Sequence, residues 1–139
     1  MRVTTKGRYA LRASLALAKL AEGQKAVSIK TISEAEGISS EFLEQIFFKL
    51  RKGGIISSVR GPGGGFYFSR PLESISLKEI IEASGEGLGI APCVCGKGEG
   101  CDREADCLAG EIWHDLGRHM DAFLEGRTLA SILAEGKKR

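Results

Sequence analysis

The sequence predicts a mainly α-helical fold with a small β-hairpin wing, a winged helix-turn-helix followed by a long C-terminal helix. Three observations lead there. Two short segments with apolar residues at helical spacing flank the turn Gly37-Ile38-Ser39. The apolar period then shortens from that of a helix to that of strands on either side of Gly61-Pro62-Gly63-Gly64. Near the C-terminus a long stripe, Leu108, Ile112, Leu116, Met120, Phe123 and Leu124, returns to helical spacing.

Each element has its own local reason. Residues 5–22 read as the first helix: Thr4 or Thr5 can cap it, Tyr9, Ala13, Leu17 and Leu20 recur at helical spacing, and Gly23 can end it. Leu11 and Leu15 form a second apolar row, so this helix is covered on more than one side. Ser28 caps a short second helix at about 29–36, with Ile29 and Ile32 inward. The third begins around Ser40 and runs to about Lys52, with Leu43, Ile46, Phe47 and Leu50 inward, and Gly53-Gly54 stops it. Residues 55–60 and 65–69 are short β-rich runs that pair as a hairpin. Ser76 and Glu79 form a capping box opening a helix through Ile80 and Ile81 to Ser84. After the segment from Gly85 to Asp106, the long helix is expected from about Cys107 to Glu125, with Gly126 ending it. Thr128 starts a last helical turn or two, and Lys137-Lys138-Arg139 reads as a frayed tail.

At 139 residues and 42% apolar, the chain can bury one core. It has no apolar run of membrane-spanning length, and Met1-Arg2-Val3-Thr4-Thr5-Lys6 lacks the apolar centre of a secretory signal, so a cytoplasmic protein with no membrane partner is expected. Charge is split unevenly. Residues 1–70 carry 12 Lys/Arg against 5 Asp/Glu (+7), and residues 71–139 carry 8 against 13 (−5). A basic first half suits a polyanionic partner.

Double-stranded DNA is the polyanion that the helix order favours. With its inner face committed to the core, the third helix leaves Ser40, Glu41, Glu44, Gln45 and Lys49 outside. Gln can bond adenine N6 and N7, Glu can accept from cytosine N4, and Ser serves either way. Lys49, Arg51, Lys52 and Arg60 suit phosphates, which fix register without reading sequence. The hairpin tip, Arg60 with Gly61, Pro62, Gly63, Gly64 and Gly65, is small enough to enter a minor groove. The plainer readings are that Glu41 and Glu44 are simply solvated and that the Gly-rich tip is only a turn.

The four cysteines, Cys93, Cys95, Cys101 and Cys107, all fall in one short polar, Gly-rich stretch, the last three spaced Cys95-x5-Cys101-x5-Cys107. Buried structural cysteines scatter through apolar elements. Thiolates converging from a pliable loop suit an iron–sulfur cluster, whether [2Fe–2S] or [4Fe–4S]. Zinc also takes four thiolates, but its structural sites usually pair cysteines two to four residues apart, and here the short pair is Cys93-Val94-Cys95. Bare regulatory thiols are the remaining alternative. An enzyme is not indicated: there is no Cys-x-x-Cys motif, no Ser/His/Asp set, and no Lys-Ser/Thr after the glycines of the hairpin. A small electron carrier would need a cluster but no basic helix-turn-helix.

Several motifs closely resemble the IscR, NsrR and CymR (Rrf-two) family of bacterial winged-helix transcription regulators. They are Met1-Arg2-Val3-Thr4-Thr5-Lys6-Gly7-Arg8-Tyr9-Ala10, Phe42-Leu43-Glu44-Gln45-Ile46, Leu50-Arg51-Lys52-Gly53-Gly54 and Val59-Arg60-Gly61-Pro62-Gly63-Gly64-Gly65-Phe66, with Gly37-Ile38-Ser39 between the first two. The resemblance extends over residues 1 to about 133. The cysteine spacing, followed by Leu108 and Ile112-Trp113-x-Asp115-Leu116, looks most like the IscR branch. It implies a homodimer on a palindromic operator, a DNA surface including Ser39, Ser40, Glu41, Glu44, Gln45 and Arg60, and a cluster reporting cluster supply, oxidants or nitric oxide. In that branch a histidine lies three residues past the last cysteine, and here that position is Gly110. Cys93 is the simplest replacement as fourth ligand, with Glu111 and His114, at i+4 and i+7 from Cys107, as alternatives. His119 lies off that face. In some relatives the partner's first helix supplies a ligand, but Arg8 is poorly suited to that role. The expected organisation is a DNA-binding unit over 1–84, a cysteine loop over 85–106 and a dimerisation segment over 107–139. Two-fold symmetry would then set the two reading helices about one DNA turn, ~34 Å, apart.

Overall fold

A computed structural model describes residues 3–23, 25–94 and 100–139. Cys95 and its Gly-rich neighbours through residue 99, together with Met1 and Arg2 of the N-terminal motif, lie outside the described residues.

Helix α1 spans Thr5–Leu20 and buries Ala10, Ala13 and Leu17 completely. Its small residues let neighbouring helices approach closely. Helix α2 (Ile29–Glu36) starts where the Ser28 hydroxyl accepts from the Thr31 N–H, and ends at Gly37, whose φ of 65° is left-handed. Helix α3 (Ser40–Lys52) is capped by Ser39, whose hydroxyl accepts from the Phe42 N–H at 3.2 Å. Its inner face is the predicted one: Leu43, Ile46, Phe47 and Leu50 are all in the core. Each such side chain, fully buried, contributes about 1.5–3 kcal/mol.

Strands β1 (Ile56–Val59) and β2 (Gly65–Phe68) pair antiparallel, with Ile56 opposite Phe68 and Val59 opposite Gly65. The wing is anchored to the head by an isolated bridge that no sequence pattern marked. Val27 donates to the Phe66 carbonyl at 2.9 Å and accepts from the Phe66 N–H at 2.8 Å. Gly65 makes this approach possible, since a Cβ there would lie 2.2 Å from the Val27 carbonyl oxygen. Phe66 then packs edge-on against Phe47 of α3, with ring centroids 5.0 Å apart.

A 3-10 turn at Leu72–Ser74 leads into helix α4 (Leu77–Ala83), which opens with the predicted capping box of Ser76 and Glu79. Helix α5 begins at Gly110 and runs to Glu125. The expected start near Cys107 needs correction: residues 104–106 close a separate 3-10 turn, and Cys107 leaves it extended, with φ −91° and ψ 108°. Helix α6 (Leu129–Lys137) is longer than the turn or two expected and includes Lys137, whose ammonium sits 3.8 Å from Glu22. Two backbone bonds tie this helix to α4: Leu77 N–H to the Arg127 carbonyl at 2.7 Å, and Leu129 N–H to the Ile75 carbonyl at 3.0 Å. Leu129 is fully buried in the same core as α1 to α4. Among the described residues, no helix is long and apolar enough to cross a membrane.

Candidate nucleic-acid interface and cysteine loop

Helix α3 turns its polar residues away from the core. Ser39, Ser40, Glu41, Glu44 and Gln45 are all exposed over its first two turns. Lys49 departs from the expectation. It is half-buried, and its ammonium donates to the Ser84 carbonyl at 3.4 Å, at the C-terminal end of α4. There it neutralises the negative end of that helix instead of facing outward. Phe48, which the sequence pattern left unassigned, is 56% exposed. A Phe two turns past Glu41 and one turn past Glu44 was the available signal, hidden by its neighbour Phe47, which is in the core.

Arg51 joins α3 to the wing: its guanidinium donates to the Ser58 hydroxyl at 3.1 Å and lies 6.0 Å from the Phe48 ring centre. Arg60 is exposed at the end of β1, beside the exposed Gly61 and Gly63. The tip is closed by the Gly64 N–H donating to the Gly61 carbonyl at 2.9 Å. Glycine is required by conformation at Gly61 and Gly63, with φ of 97° and 73°. The turn-helix geometry is braced from α1: Arg12 contacts the Glu36 carboxylate at 3.1 Å and donates to the Glu36 carbonyl at 2.6 Å.

The segment leading to the cysteines is tied to α1. Neither Thr4 nor Thr5 caps that helix with its side chain. Instead the Glu86 carboxylate accepts from the N–H groups of Thr4 and Gly7, each at 3.1 Å, and from the Thr4 hydroxyl. An anion at a helix N-terminus meets both its unpaired donors and its positive dipole end.

Cys93 is half-buried in a 3-10 turn at Pro92–Val94, whereas Cys101 and Cys107 are exposed. This turn packs on the middle of α5, where a Cβ on Gly117 would meet Val94 at 2.5 Å. Among the described residues, no three Cys, His, Asp or Glu groups gather at one point. Because Cys107 precedes α5, the helical i+4 and i+7 relation to Glu111 and His114 does not apply. His114 lies 3.7 Å from the Glu104 carboxylate, and Glu111 is exposed in the first turn. His119 is exposed, its Nδ1 2.8 Å from the Asp115 carbonyl. Gly110 is buried against Cys107, with a Cβ there standing 3.8 Å from the Cys107 Cβ.

Helix α4 holds α5 through charge. Lys78 reaches Glu125 at 2.8 Å and Asp121 at 3.4 Å, and the hydrogen bond it donates to Glu125 raises its pKa. The Glu79 carboxyl is held below its ordinary value chiefly by the Ser76 backbone N–H, with Arg70 adding to the effect.

Residues 3–135 match the Rrf2 family, described as iron-dependent transcriptional regulators. The chain belongs to this family. It is 43% identical over 133 residues to the HTH-type transcriptional regulator IscR of Escherichia coli K12, covering 96% of this chain and 80% of that one. Among solved structures, IscR of T. potens aligns with a TM-score of 0.78 at 29% identity, over 98% of this chain and 88% of that one. The oxidised form of CymR from Staphylococcus aureus aligns with a TM-score of 0.69 at 33% identity, over 95% of each chain. The chain is thus a winged-helix transcription regulator of the Rrf2 and IscR type, and its relatives are named as regulators and not as enzymes.

Proposed function

We propose that this regulator works as a cytoplasmic homodimer on a palindromic operator and senses iron–sulfur cluster status, redox state or nitric oxide through its cysteine loop. The observation that carries the reading is the position of that loop. It runs from the Glu86 cap on α1 to the start of α5, and the Val94 turn rests on Gly117 along the way. A change in the loop therefore bears on the reading head and on α5 together.

The donor set fits the cofactor in kind: soft thiolates, with Cys101 and Cys107 exposed, are what an iron–sulfur cluster takes, of either the [2Fe–2S] or the [4Fe–4S] type. Cys95, Cys101 and Cys107 would hold it, with Cys93 as fourth ligand ahead of Glu111 or His114. When bound, such a cluster supplies a centre sensitive to electrons, oxidants and nitric oxide. The chain's own residues do the rest. Glu41, Glu44 and Gln45 face base edges, Ser39 and Ser40 sit at the helix start, and Arg51 and Arg60, flanked by Gly61 and Gly63, contact backbone and groove. Residues 1–84 act as the DNA unit, 85–106 as the sensing loop, and 107–139 contribute the dimer helix.

Support for the dimer lies on α5, where, among the described residues, Gly110 alone is buried. Ile112 is 64% exposed, Phe123 is 57% exposed, and Trp113 and Leu116 are also uncovered. Val3, Ile81, Leu88, Met120 and Leu124 line an apolar groove beside them. So large an uncovered apolar stripe on one helix marks an interaction face.

Anaerobically purified protein tests the reading through its visible absorption, iron and sulfide content, and binding to a selected operator duplex. Holo protein should differ in operator affinity or preference from chelator-stripped protein and from the Cys95→Ala, Cys101→Ala, Cys107→Ala variant. A difference of ~1–3 kcal/mol suffices for switching. Equal binding by all three would defeat the sensing claim. A colourless zinc-loaded protein would favour the zinc alternative.

A further inference from the structure

Phe47 and Phe48 are consecutive on α3 but have opposite surroundings. Phe47 is fully buried, and Phe48 is 56% exposed on the face that carries Glu41, Glu44 and Gln45. A single exposed apolar residue is ordinary on a protein surface, so exposure alone assigns nothing. Its position is informative: Phe48 stands at i+3 from Gln45 and i+4 from Glu44, one turn further along the same face. It is also steadied from one side, because Arg51 lies over its ring at 6.0 Å while bonded to Ser58 of the wing.

We propose that Phe48 is a specificity-determining residue that packs on a thymine C5-methyl group in the major groove. This rests on the reading that α3 enters that groove. The chemistry narrows the target. A phenyl ring neither donates nor accepts hydrogen bonds, and the apolar feature that base edges present in the major groove is the thymine methyl. The helix rises about 1.5 Å per residue, so Phe48 sits roughly 5 Å beyond Glu44 and Gln45 along the axis. It therefore reads a pair one or two steps from theirs. Arg51, on the adjacent phosphate side, fixes the register in which the ring meets that pair.

The test uses the full chain. Wild-type protein selects duplexes from a random pool, and each thymine of the selected sequence is then replaced singly by deoxyuridine, which lacks only the methyl group. Wild type should lose roughly fourfold in affinity at one thymine in each half-site, the worth of one buried methyl. Phe48→Ala should bind the thymine and uracil duplexes equally, and its own selected consensus should lose that thymine. Phe48→Leu, which keeps an apolar surface, should retain part of the penalty. All three proteins should share one unfolding midpoint, since the ring packs in no core.

Wild type indifferent to every thymine-to-uracil change would overturn the assignment while leaving DNA binding intact. So would Phe48→Ala that keeps the wild-type penalty, or one that loses affinity equally for both duplexes, as a sugar contact would. So would Phe48→Ala that binds as wild type but fails to regulate transcription in reconstituted reactions, which points to a protein partner. Wild type that selects no duplex would bring down the groove reading itself, and this inference with it.

Discussion

Replacing Glu86 should loosen the start of α1, and the structure sets the size of the effect. Its carboxylate accepts from two backbone N–H groups, those of Thr4 and Gly7, and from the Thr4 hydroxyl. Removing a capping acceptor costs about 1 kcal/mol, and removing an anion from a helix N-terminus costs a further ~0.3–1 kcal/mol. Glu86→Ala should therefore lower stability by roughly 1.3–2 kcal/mol. Glu86→Gln keeps an acceptor oxygen and loses the charge, so about 0.5 kcal/mol is expected. Urea unfolding at low and high salt separates the two contributions. The wild-type-to-Gln gap should shrink in salt as the dipole interaction is screened, whereas most of the Ala deficit should remain. Hydrogen exchange should speed up at Gly7 while the amides of α3 stay protected. If Glu86→Ala lies within ~0.5 kcal/mol of wild type, or exchange at Gly7 is unchanged, water caps α1 equally well and the tether between loop and reading head has no energetic substance.

Three further predictions test other parts of the molecule. Gly65→Ala forces a methyl to within 2.2 Å of the Val27 carbonyl oxygen, at a φ of 151°. Strain of ~1–3 kcal/mol plus the loss of two bridge hydrogen bonds at ~1 kcal/mol each should cost roughly 3–5 kcal/mol in urea unfolding, whereas Gly63→Ala, in open space, should cost only about 1–2. Glu79 has a lowered pKa, so its contribution is present above the ordinary carboxyl value of 4.5 and is lost as pH falls through the folded value. The melting-temperature gap between wild type and Glu79→Gln should accordingly be constant near neutrality and close in acid, and a gap that widens in acid would reverse the argument. Gly110→His would offer an imidazole nitrogen at a position where a Cβ makes ordinary contact with Cys107, at 3.8 Å. It should fold normally, keep more iron per chain after anaerobic reconstitution and resist a chelator longer, and unchanged retention would show that the loop already completes its donor set.

Local signals made the head legible. Ser28 and Ser39 sit immediately before apolar-periodic runs, Gly37 can adopt the left-handed turn, and Ser76 with Glu79 forms a capping box, so the bounds of α2 and the starts of α3 and α4 followed from neighbouring residues. Contacts between distant residues were not legible. The Val27–Phe66 bridge and the Glu86 cap on α1 join segments 39 and 79–82 residues apart, and no spacing rule reports such pairs. The start of α5 lies later than periodicity indicates, because the apolar pattern carries through Leu108, which is 95% exposed and precedes the helix. Helical phase alone puts Lys49 outward. A long flexible side chain near the border of two faces goes where charge draws it, here to the C-terminal end of α4. At the candidate cysteine site, spacing pointed to thiolate chemistry, but it does not determine which groups approach one another.

The two ends of the chain's last third are held very differently, and this bears on how a signal would travel. Helix α6 is fixed, with Leu129 fully buried and its backbone bonded to Ile75 beside α4. Helix α5 has little burial of its own, and its attachments include the Lys78 ion pairs, the apolar groove shared with Ile81 and Leu88, and the Val94 turn resting on Gly117. Partly exposed ion pairs are individually worth little, so apolar packing on Ile81 and on the Val94 turn carries more of the attachment of α5. A well-buried head on one side and a sparsely buried helix on the other are bridged, among the described residues, by the turn at Pro92–Val94. A constraint on that turn would bear first on α5, the helix that carries the exposed Ile112 and Phe123, because Val94 meets it at Gly117.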